Sequence, residues 1–584
     1  MKKITGLLAC LSAGVMLISG VGCGLLGGDD DDGDKTVLEF WQYEGCSGRA
    51  WSDAAIERFQ EQYKDKVYEA GKQGVKVNLT YQRDADLTNP TYDIYMLEGV
   101  ADIYALSVEG KVLDLADLFT DEENGYENLT NKLKPEVMNG LLGYNPTTQQ
   151  TSYYSLPWYE WYPGVAYDVD YFNEENLYFA DPTETNTADI PTEYGTAHLI
   201  SSANGKKSVG PNGIRGDYDD GLPSSIDEFM QLCAVIKFKG DNPFLIGGDL
   251  HSYSFFLVEA MWAALSGANE LQTIYSLDSK GQEVEVVKRN GGGDGDYMLT
   301  TEPLFPNATN PKVAAIMKPQ TERIVITEDN GYRIYDMTAR YYALAVFEAL
   351  CVEQWYNTQI YANGSYSNTQ TQRQFYYGDK ATNNLGTGAM MYDASYWYSE
   401  AVRANTVSDY TKRYGDRHVS FMPMPSQLTG SVTEGNGKAN TLLDVGHAQL
   451  FANGRITSEG KKQAAKDFLA FLYSNDELKA FTEGVGLLVP VKESLNYYDK
   501  SKLYDLGDYY SRMDTIRDAS DVVYFATESS HVRGSKVNYT MAWRGPINRP
   551  QYDGRMQYYF ELVLQYNQRA ADIMKLTRKS ASGW

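Results

Sequence analysis

Strand-like and helix-like segments alternate directly after a short acidic stretch, and this order constrains the fold more than any other feature. Residues 36–41 read Thr-Val-Leu-Glu-Phe-Trp, a β-branched and aromatic run typical of a strand. An amphipathic helix pattern follows, with Ser52 as its expected N-cap. Residues 74–81 alternate as a second strand, and residues 101–106 are predicted to form a third. Strand, helix and strand at this spacing predict βαβ units, a parallel sheet and the α/β class.

The same periodicities place further elements along the chain. Several segments have strong signals for helices or strands. They are a capping box at Ser225, a buried helix at 255–265, a helix at 337–356, a strand at 389–393 followed by a loop with Tyr396, Trp397 and Tyr398, and a helix capped by Ser458.

The first 34 residues read as an export signal. Two lysines precede an uncharged apolar run over residues 4–21, and then come Gly22, Cys23 and a Gly/Asp-rich segment. This resembles a bacterial lipoprotein signal, although Gly20 stands where that family prefers Leu. The resemblance implies a signal peptide over residues 1–22, lipid on Cys23 and an acidic flexible tether over 23–35. The alternatives are an ordinary secretory signal and, with less support, a transmembrane helix, because the apolar run is short and rich in small residues.

Composition excludes some classes of partner. The 584 residues carry a formal charge of −26, which argues against nucleic acid and against docking on anionic lipid. The 47 tyrosines and 9 tryptophans combine flat apolar faces with polar groups, as the surface of a sugar ring does. Aromatic clusters near loop ends therefore favour a carbohydrate site.

Cysteines and histidines provide no evidence for a metal, a disulfide framework or a catalytic nucleophile. Cys233 and Cys351 fall on apolar helical faces and are predicted to be buried, whereas Cys46 lies in a loop and is predicted to be exposed. The five histidines, among them His447, show no metal spacing. An Asp-Gly-Asp loop at 294–296 lacks the ligand spacing of a calcium loop. We therefore expect no cofactor, no bound metal and no enzymatic activity.

Several segments in a fixed order resemble one known family. In chain order they are the strand ending Phe-Trp, then ADIYALSVEGKVLDLADLF, YYSLPWYEWYPGVAYDVDYFNE, LPSSIDEF, GAMMYDASYW, VSFMPMP and AAKDFLAFLYSNDELKAFTEGVGLLVP. Together they resemble the extracellular solute-binding proteins of family 1, the carbohydrate-binding lipoproteins of ABC importers. The resemblance covers about residues 36–495, with long insertions at 181–223 and 270–330.

The resemblance implies a periplasmic-binding-protein-like fold of two discontinuous α/β lobes with a ligand cleft between them. Lobe I would take residues 36–155 and 427–485, and lobe II residues 156–426 and 486–584. Open α/β sheets bind ligands at the carboxyl ends of their strands, which agrees with this arrangement. The implied partners are a carbohydrate, an ABC permease and, through Cys23, the outer face of the bacterial cell membrane. The protein is expected to be a monomer.

Residues at the predicted strand ends and lobe crossing are the candidate ligand contacts. Their aromatic faces would stack on sugar rings, and their charged groups would bind hydroxyls. The set is Trp41, Tyr43, Glu44, Arg83, Asp84, Asp102, Trp158, Glu160, Trp161, Asp393, Tyr396, Trp397 and Trp543. Asp393, Tyr396 and Trp397 match the family's G-x-W aromatic loop, although Asp393-Ala394-Ser395 replaces its usual Gly-Pro pair.

Two alternatives remain open at the level of sequence. The same fold could bind a peptide, an amino-sugar or a polyamine, since the strongly acidic charge suits a cation. The chain could also be a secreted glycoside hydrolase if two of Glu44, Asp102, Glu160 and Asp393 formed a catalytic carboxylate pair.

Overall fold

The computed structural model describes residues 32–98, 103–120, 125–247, 253–291, 294–359, 366–381, 386–444, 448–492, 495–524, 547 and 549–584. Helices and strands alternate through most of this length, with two principal sheets. The expectations for the leader, for residues 23–31 of the tether, and for Cys23, Asp102, His447 and Trp543 lie outside the described residues. The described end of the tether, Asp32–Asp34, forms a short 3-10 helix.

The strands follow the chain in this order: β1 (Thr36–Tyr43), β2 (Val75–Gln82), β3 (Ile94–Leu97), β4 (Leu142–Asn145), β5 (Gln150–Tyr153), β6 (Leu156–Pro157), β7 (Pro163–Asp168), β8 (Thr187–Thr192), β9 (Gly195–Ile200), β10 (Asn242–Leu245), β11 (Glu283–Val287), β12 (Leu299–Pro303), β13 (Met317–Pro319), β14 (Thr321–Val325), β15 (Gly388–Ala394), β16 (Val419–Phe421), β17 (Thr441–Asp444), β18 (Gln449–Ala452), β19 (Asp521–Tyr524), β20 (Gln551–Tyr552) and β21 (Arg555–Met556).

The α-helices follow in this order: α1 (Ala50–Gln62), α2 (Ile103–Val108), α3 (Ala116–Thr120), α4 (Val169–Glu174), α5 (Ile226–Phe238), α6 (Ser254–Ser266), α7 (Ala268–Leu271), α8 (Thr273–Ser276), α9 (Pro311–Ala314), α10 (Thr338–Val352), α11 (Asn368–Tyr377), α12 (Trp397–Arg403), α13 (Thr406–Tyr414), α14 (Glu459–Leu472), α15 (Asn475–Val485), α16 (Lys500–Leu506), α17 (Asp508–Asp518), α18 (Tyr559–Leu564) and α19 (Ala570–Thr577).

The first sheet has the order β2-β1-β3-β18-β6, and β1 pairs in parallel with both β2 and β3. Alternation along β1 sends Leu38 and Phe40 to one face, where Phe40 meets Phe468 of α14 edge to face at 5.5 Å. Trp41 points to the other face and packs with Tyr95. Both faces of this sheet are therefore covered, as a parallel sheet requires, and the predicted βαβ unit is confirmed.

The second sheet has the order β10-β15-β7-β16. Strands β10 and β15 are parallel, while β7 runs antiparallel to both β15 and β16. Helix α6 packs against β7 and is buried along nearly its whole length, so the predicted buried helix at 255–265 is confirmed. The uniformly apolar sequence of this helix is what a position with no solvent-facing side requires.

The chain passes repeatedly between the two sheets. It leaves the first at β6 and enters the second at β7, then leaves the second after β16 and returns at β18. Helix α17 packs against β16 of the second sheet. The two long insertions form separate small hairpins, β8–β9 and the pairs β11–β14 and β12–β13. The lobe ranges given above stay a prediction.

Capping chemistry agrees with the sequence at two helices. Ser225 Oγ accepts the backbone N–H of Glu228 at 3.3 Å, and Ser458 Oγ accepts that of Lys461 at 3.2 Å. Each bond satisfies one free N–H in the first turn of its helix. The predicted helix starts at these two serines are confirmed.

Four local predictions were wrong. The third strand is β3, while the residues of the predicted 101–106 strand that are described lie in α2. Helix α1 begins at Ala50, so Ser52 is a buried residue in its first turn rather than its N-cap. Trp397 begins helix α12 rather than lying in a loop. Cys46 is buried, because its loop folds over the end of β3, whereas Cys233 and Cys351 are buried as predicted.

Within the described residues, no helix has the length and apolar character that a membrane crossing requires.

Candidate functional site

Side chains that follow the strands of both sheets meet between the lobes. Cys46 lies just after β1, and Glu98 lies just after β3. The Cys46 thiol donates to Glu98 Oε2 at 3.4 Å. Because neighbouring parallel strands end at the same edge, residues distant in sequence are brought together here.

The opposite side of this site comes from β15 and α12 of the second lobe. Asp393 lies near the carboxyl end of β15 and is 0% exposed, and Glu400 lies one turn into α12. The side-chain amide of Gln372, from α11, donates to Asp393 Oδ2 at 3.1 Å and to Glu400 Oε2 at 2.7 Å. One amide therefore holds two carboxylates close to each other.

A direct contact joins the two lobes beside these carboxylates. Arg403, the last residue of α12, donates from Nη1 to the hydroxyl of Tyr81 on β2 at 3.1 Å. Gly48 has a positive φ of 65°, and a Cβ there would lie 2.8 Å from Arg403 Cδ. Glycine at this position lets the guanidinium stem pass close to the first lobe.

The electrostatic environment favours the protonated form of the acids. Burial, and then the charge of Glu400, raise the pKa of Asp393 well above its ordinary range. Glu98 is partly exposed as a residue, but its Oε1 has no contact with solvent. Burial is the main reason that the pKa of Glu98 rises to about 7. Burial, followed by Glu98 and Cys46, raises the pKa of Tyr43 to about 12.

Aromatic rings line the second-lobe side. Trp161 meets Tyr396 edge to face at 5.5 Å and Phe256 at 6.0 Å. The Tyr396 hydroxyl lies 3.3 Å from that of Tyr253, and burial, then Tyr253 and then Cys46 of the first lobe, raise the pKa of Tyr396. Rings and acids from both lobes thus lie close together in one region, which we call the interlobe site: Tyr43, Cys46, Glu98, Trp161, Tyr253, Asp393, Tyr396, Glu400 and Arg403.

Four of the residues predicted from sequence lie in this site: Tyr43, Trp161, Asp393 and Tyr396. Trp41 lies next to it, buried between Tyr43 and Tyr95 on one face of the first sheet. Their common feature is a position at or near the carboxyl end of a strand or at the lobe crossing.

Two predicted tryptophans pack in the interior of the individual lobes instead. Trp158, which the predicted ranges place at the start of lobe II, packs on lobe I residues, with Trp51 at 5.0 Å and Phe481 at 4.8 Å. Trp397 contacts Phe375 and Tyr509 in the second lobe. Both are completely buried.

Glu160 is the centre of a buried charge network at the lobe crossing. Its carboxylate lies 3.5 Å from Lys134 Nζ and 3.9 Å from Arg517 Nη1, and it accepts the hydroxyls of Tyr162 and Tyr524. Burial alone would raise the pKa of Glu160, but the two cations lower it below its ordinary value. This network borders a cleft of about 620 Å³ that is also lined by Asp518 and Asp521.

The predicted charged residues after β1 and β2 are exposed. Arg83 is 74% exposed, and its Nε lies 3.9 Å from Glu44 Oε2. Asp84 is also exposed. In this arrangement they lie at the rim rather than inside the interlobe site.

Sequence reasoning missed Glu98, Tyr253, Glu400 and Arg403. A usable signal existed for Glu98, because Ile94-Tyr95-Met96-Leu97 is an apolar run that ends at an acid. Assigning the third strand to residues 101–106 moved the expected carboxylate to Asp102. No local pattern marks Glu400 or Arg403, since both look like ordinary exposed residues of a short helix.

Comparison with known proteins gives the fold. No protein-family model and no curated protein sequence matches the chain. A structure from work on xylan utilization by Caldanaerobius polysaccharolyticus is 12% identical and aligns over 93% of this chain and 99% of its own, with a TM-score of 0.51. Maltose-bound MalE3 of T. maritima is 14% identical over 93% and 98%, with a TM-score of 0.47.

A family 1 extracellular solute-binding protein from Bifidobacterium longum subsp. infantis is 13% identical over 93% of this chain and 98% of its own, with a TM-score of 0.45. Other structural neighbours of the chain include a chitin oligosaccharide binding protein and SBP RafE in complex with raffinose. The fold expected from the sequence is thereby confirmed. The chain has the two-lobed, periplasmic-binding-protein-like fold of the extracellular solute-binding proteins.

Proposed function

We propose that this protein is the extracellular substrate-binding component of an ABC importer and that it binds a carbohydrate between its lobes. The observation that carries the proposal is the interlobe site, in which groups from both lobes surround one region and Arg403 meets Tyr81 across it. A ligand held by both lobes stabilises the closed arrangement over the open one, which is how hinge closure is driven.

The side chains suit a polyhydroxylated ligand. Carboxylates such as Asp393 and Glu98 accept hydrogen bonds from hydroxyls, and the rings of Trp161 and Tyr396 offer apolar faces. Each hydrogen bond contributes about 1 kcal/mol net, and an aromatic face about as much beyond area burial. About eight such contacts sum to roughly −8 kcal/mol, which corresponds to micromolar affinity.

Export and anchoring complete the proposal. Cys23 would carry the lipid, and the Gly/Asp-rich tether would hold a mobile, monomeric capture domain beside its permease. Because a tethered receptor is locally concentrated, modest affinity suffices for delivery. Metabolic labelling with a fatty acid tests this part, and the variant Cys23→Ser is expected to lose the label and to be released from the membrane.

A thermal-shift screen of the purified protein with neutral oligosaccharides tests the central part. Xylo-oligosaccharides belong in the panel because the Caldanaerobius structure comes from work on xylan utilization. At least one carbohydrate is expected to raise the melting temperature without release of new reducing ends. Asp393→Asn is expected to abolish the shift, whereas the exposed Glu44→Gln keeps it. If no carbohydrate raises the melting temperature, the assignment is wrong.

One observation favours a second candidate, the same fold with a cationic ligand. The interlobe site brings together Glu98, Asp393 and Glu400, with Arg403 beside them and the exposed Arg83 at the rim acting on Glu400 from outside. A polyamine, a peptide amine or an amino-sugar would neutralise these acids. The same screen with polyamines and a basic peptide distinguishes the two candidates, because a shift with those ligands alone excludes a neutral sugar.

A further inference from the structure

Three carboxylates converge in the loop that joins β9 to α5, which contributes no residue to the interlobe site. One oxygen from each of Asp217, Asp219 and Asp220 lies within 4.8 Å of the other two. Asp219 is 0% exposed, whereas Asp217 and Asp220 are partly exposed. The cluster therefore has a buried base and an opening toward solvent.

The surrounding backbone holds these carboxylates in place. The N–H of Asp219 donates to Asp217 Oδ1 at 3.2 Å, and that of Gly216 donates to Asp220 Oδ2 at 2.8 Å. Asn212 donates from its backbone to Asp219 Oδ2 and from its side chain to Asp217 Oδ2. The position of each acid is thus set before any ligand arrives.

Two carboxylate oxygens in the cluster have no hydrogen-bond donor among the described residues. They are Oδ1 of Asp219 and Oδ1 of Asp220, and both atoms are out of contact with solvent. A buried anionic oxygen without a partner is strongly unfavourable unless a cation or a proton reaches it. The bare oxygen of fully buried Asp219 therefore points to a missing positive group, either a cation or a proton.

The nearby protein cations do not supply that group. Within the described parts of the chain, no Lys or Arg nitrogen lies within 4 Å of the three carboxylates. Arg215 binds Asp181 and Glu434 instead. Lys207 lies over the ring of Tyr178 at 3.2 Å. Burial raises the pKa of Asp220, and Arg215 and Lys207 oppose this rise only through longer-range charge, so neither forms an ion pair with the cluster.

We propose that Asp217, Asp219 and Asp220 bind a calcium ion. The available donors are all oxygens, which are the ligands that hard divalent cations prefer. Calcium accepts irregular sets of six to eight oxygens, so water can complete its shell at the open side. Magnesium demands near-ideal octahedral geometry, which three carboxylates from four consecutive residues do not readily provide. This assignment revises the expectation from sequence that the protein binds no metal.

The ion would also join this loop to a lobe crossing. The Asn440 side chain donates to Asp219 Oδ2 at 3.3 Å and to the Tyr218 hydroxyl at 2.6 Å, and Asn440 directly precedes β17. The N–H of Gly435 donates to the carbonyl of Gly213 at 3.0 Å. Calcium therefore rigidifies the segment that runs from the second sheet back to the first.

Calorimetric titration of EGTA-treated protein with calcium chloride, in the absence of sugar, tests the proposal. A single calcium ion is expected to bind per chain, with a Kd in the range of about 10⁻⁴–10⁻³ M that is typical of extracellular modules. Melting curves are expected to move to higher temperature as calcium is added, because the ion binds the folded state.

Variants identify the site. Asp219→Asn is expected to weaken calcium binding at least tenfold. Asp220→Asn, at a partly exposed residue, is expected to have the same effect and tests the site if Asp219→Asn does not fold. Asp505→Asn removes the same charge from an exposed residue paired with Lys502 and is expected to bind like the wild type. The proposal is overturned if calcium up to millimolar concentration produces neither heat nor a melting shift, if both cluster variants bind normally, or if magnesium binds more tightly.

Discussion

Glu160 and Asp393 are both buried carboxylates, but their surroundings are opposite. Glu160 lies between Lys134 and Arg517 and accepts two tyrosine hydroxyls, so its pKa is lowered. Asp393 faces another acid, Glu400, and its pKa is raised. A buried charge that the protein itself neutralises supports the fold, whereas a buried acid left without a cation is suited to a ligand. We infer that the lobe crossing serves the structure, and the proposed function assigns ligand binding to the interlobe site.

The largest expected effect follows from removing the charge of Glu160. Glu160→Gln leaves Lys134 and Arg517 without their counter-ion in a buried setting, which typically costs about 3–5 kcal/mol of unfolding free energy. Urea denaturation measures this loss of unfolding free energy. The exposed pair Glu44 and Arg83 is the matched control, and Glu44→Gln is expected to change stability by about 0–1 kcal/mol. Equal losses of unfolding free energy in Glu160→Gln and Glu44→Gln would contradict the structural role given to the buried network at the lobe crossing.

Asp393→Asn is expected to weaken ligand binding without loss of stability, the reverse of Glu160→Gln. Because the side chain keeps its shape and the site disfavours a charge at this position, stability should be unchanged or higher. Hydroxyl groups of the ligand that donate to Asp393 favour its ionised form. Affinity for the ligand found in the screen is therefore expected to fall about 10- to 100-fold in the variant, as for the loss of a charged hydrogen bond of roughly 1.5–3 kcal/mol. Calorimetric titration measures the affinity, and an undiminished affinity would place the ligand elsewhere.

The raised pKa of Glu98 predicts a pH dependence. A carboxyl whose pKa rises from its ordinary value near 4.5 to about 7 in the folded state stabilises that state most at low pH. The contribution is lost as the pH rises through about 7. Melting temperatures between pH 5 and pH 8 should therefore fall less steeply in Glu98→Gln than in the wild type. A variant with the same slope as the wild type would contradict this account of Glu98.

The smallest expected effect concerns the contact between the lobes. Tyr81→Phe removes the acceptor of the Arg403 hydrogen bond and is expected to weaken ligand binding by about 0.5–1.5 kcal/mol through a less stable closed state. Titration measures it, with Tyr104→Phe as a control on a tyrosine of the first lobe that stacks on Tyr144. An equal loss of ligand affinity in Tyr104→Phe would show a general effect on the first lobe rather than the loss of the contact between the lobes.

Periodicity predicted the elements of this fold better than it predicted the site. The alternation in β1 and the uniformly apolar α6 predict both their conformation and their burial, because each pattern has one physical cause. Trp158 and Trp161 are three residues apart in one aromatic run, yet one packs inside a lobe and the other faces the interlobe site. Only the path of the chain after β6 separates them, and that path depends on contacts with α15 and α6 that no local pattern encodes.

The wrong prediction of the third strand shows the same limit within a short stretch of sequence. Residues 94–97 and 101–106 are both short apolar runs, and periodicity does not decide between two such candidates. Pairing of Phe40 with Ile94 and of Leu450 with Met96 makes the first run the strand. The site carboxylate therefore is Glu98, which follows that strand directly.

Small-angle X-ray scattering with and without the carbohydrate identified in the screen tests the central claim most directly. The claim is that one ligand contacts both lobes and closes them. The wild-type protein is expected to become more compact when the carbohydrate saturates it, and Asp393→Asn is expected to show no change at the same concentration. A carbohydrate that binds the wild type while its scattering profile stays the same would contradict the claim.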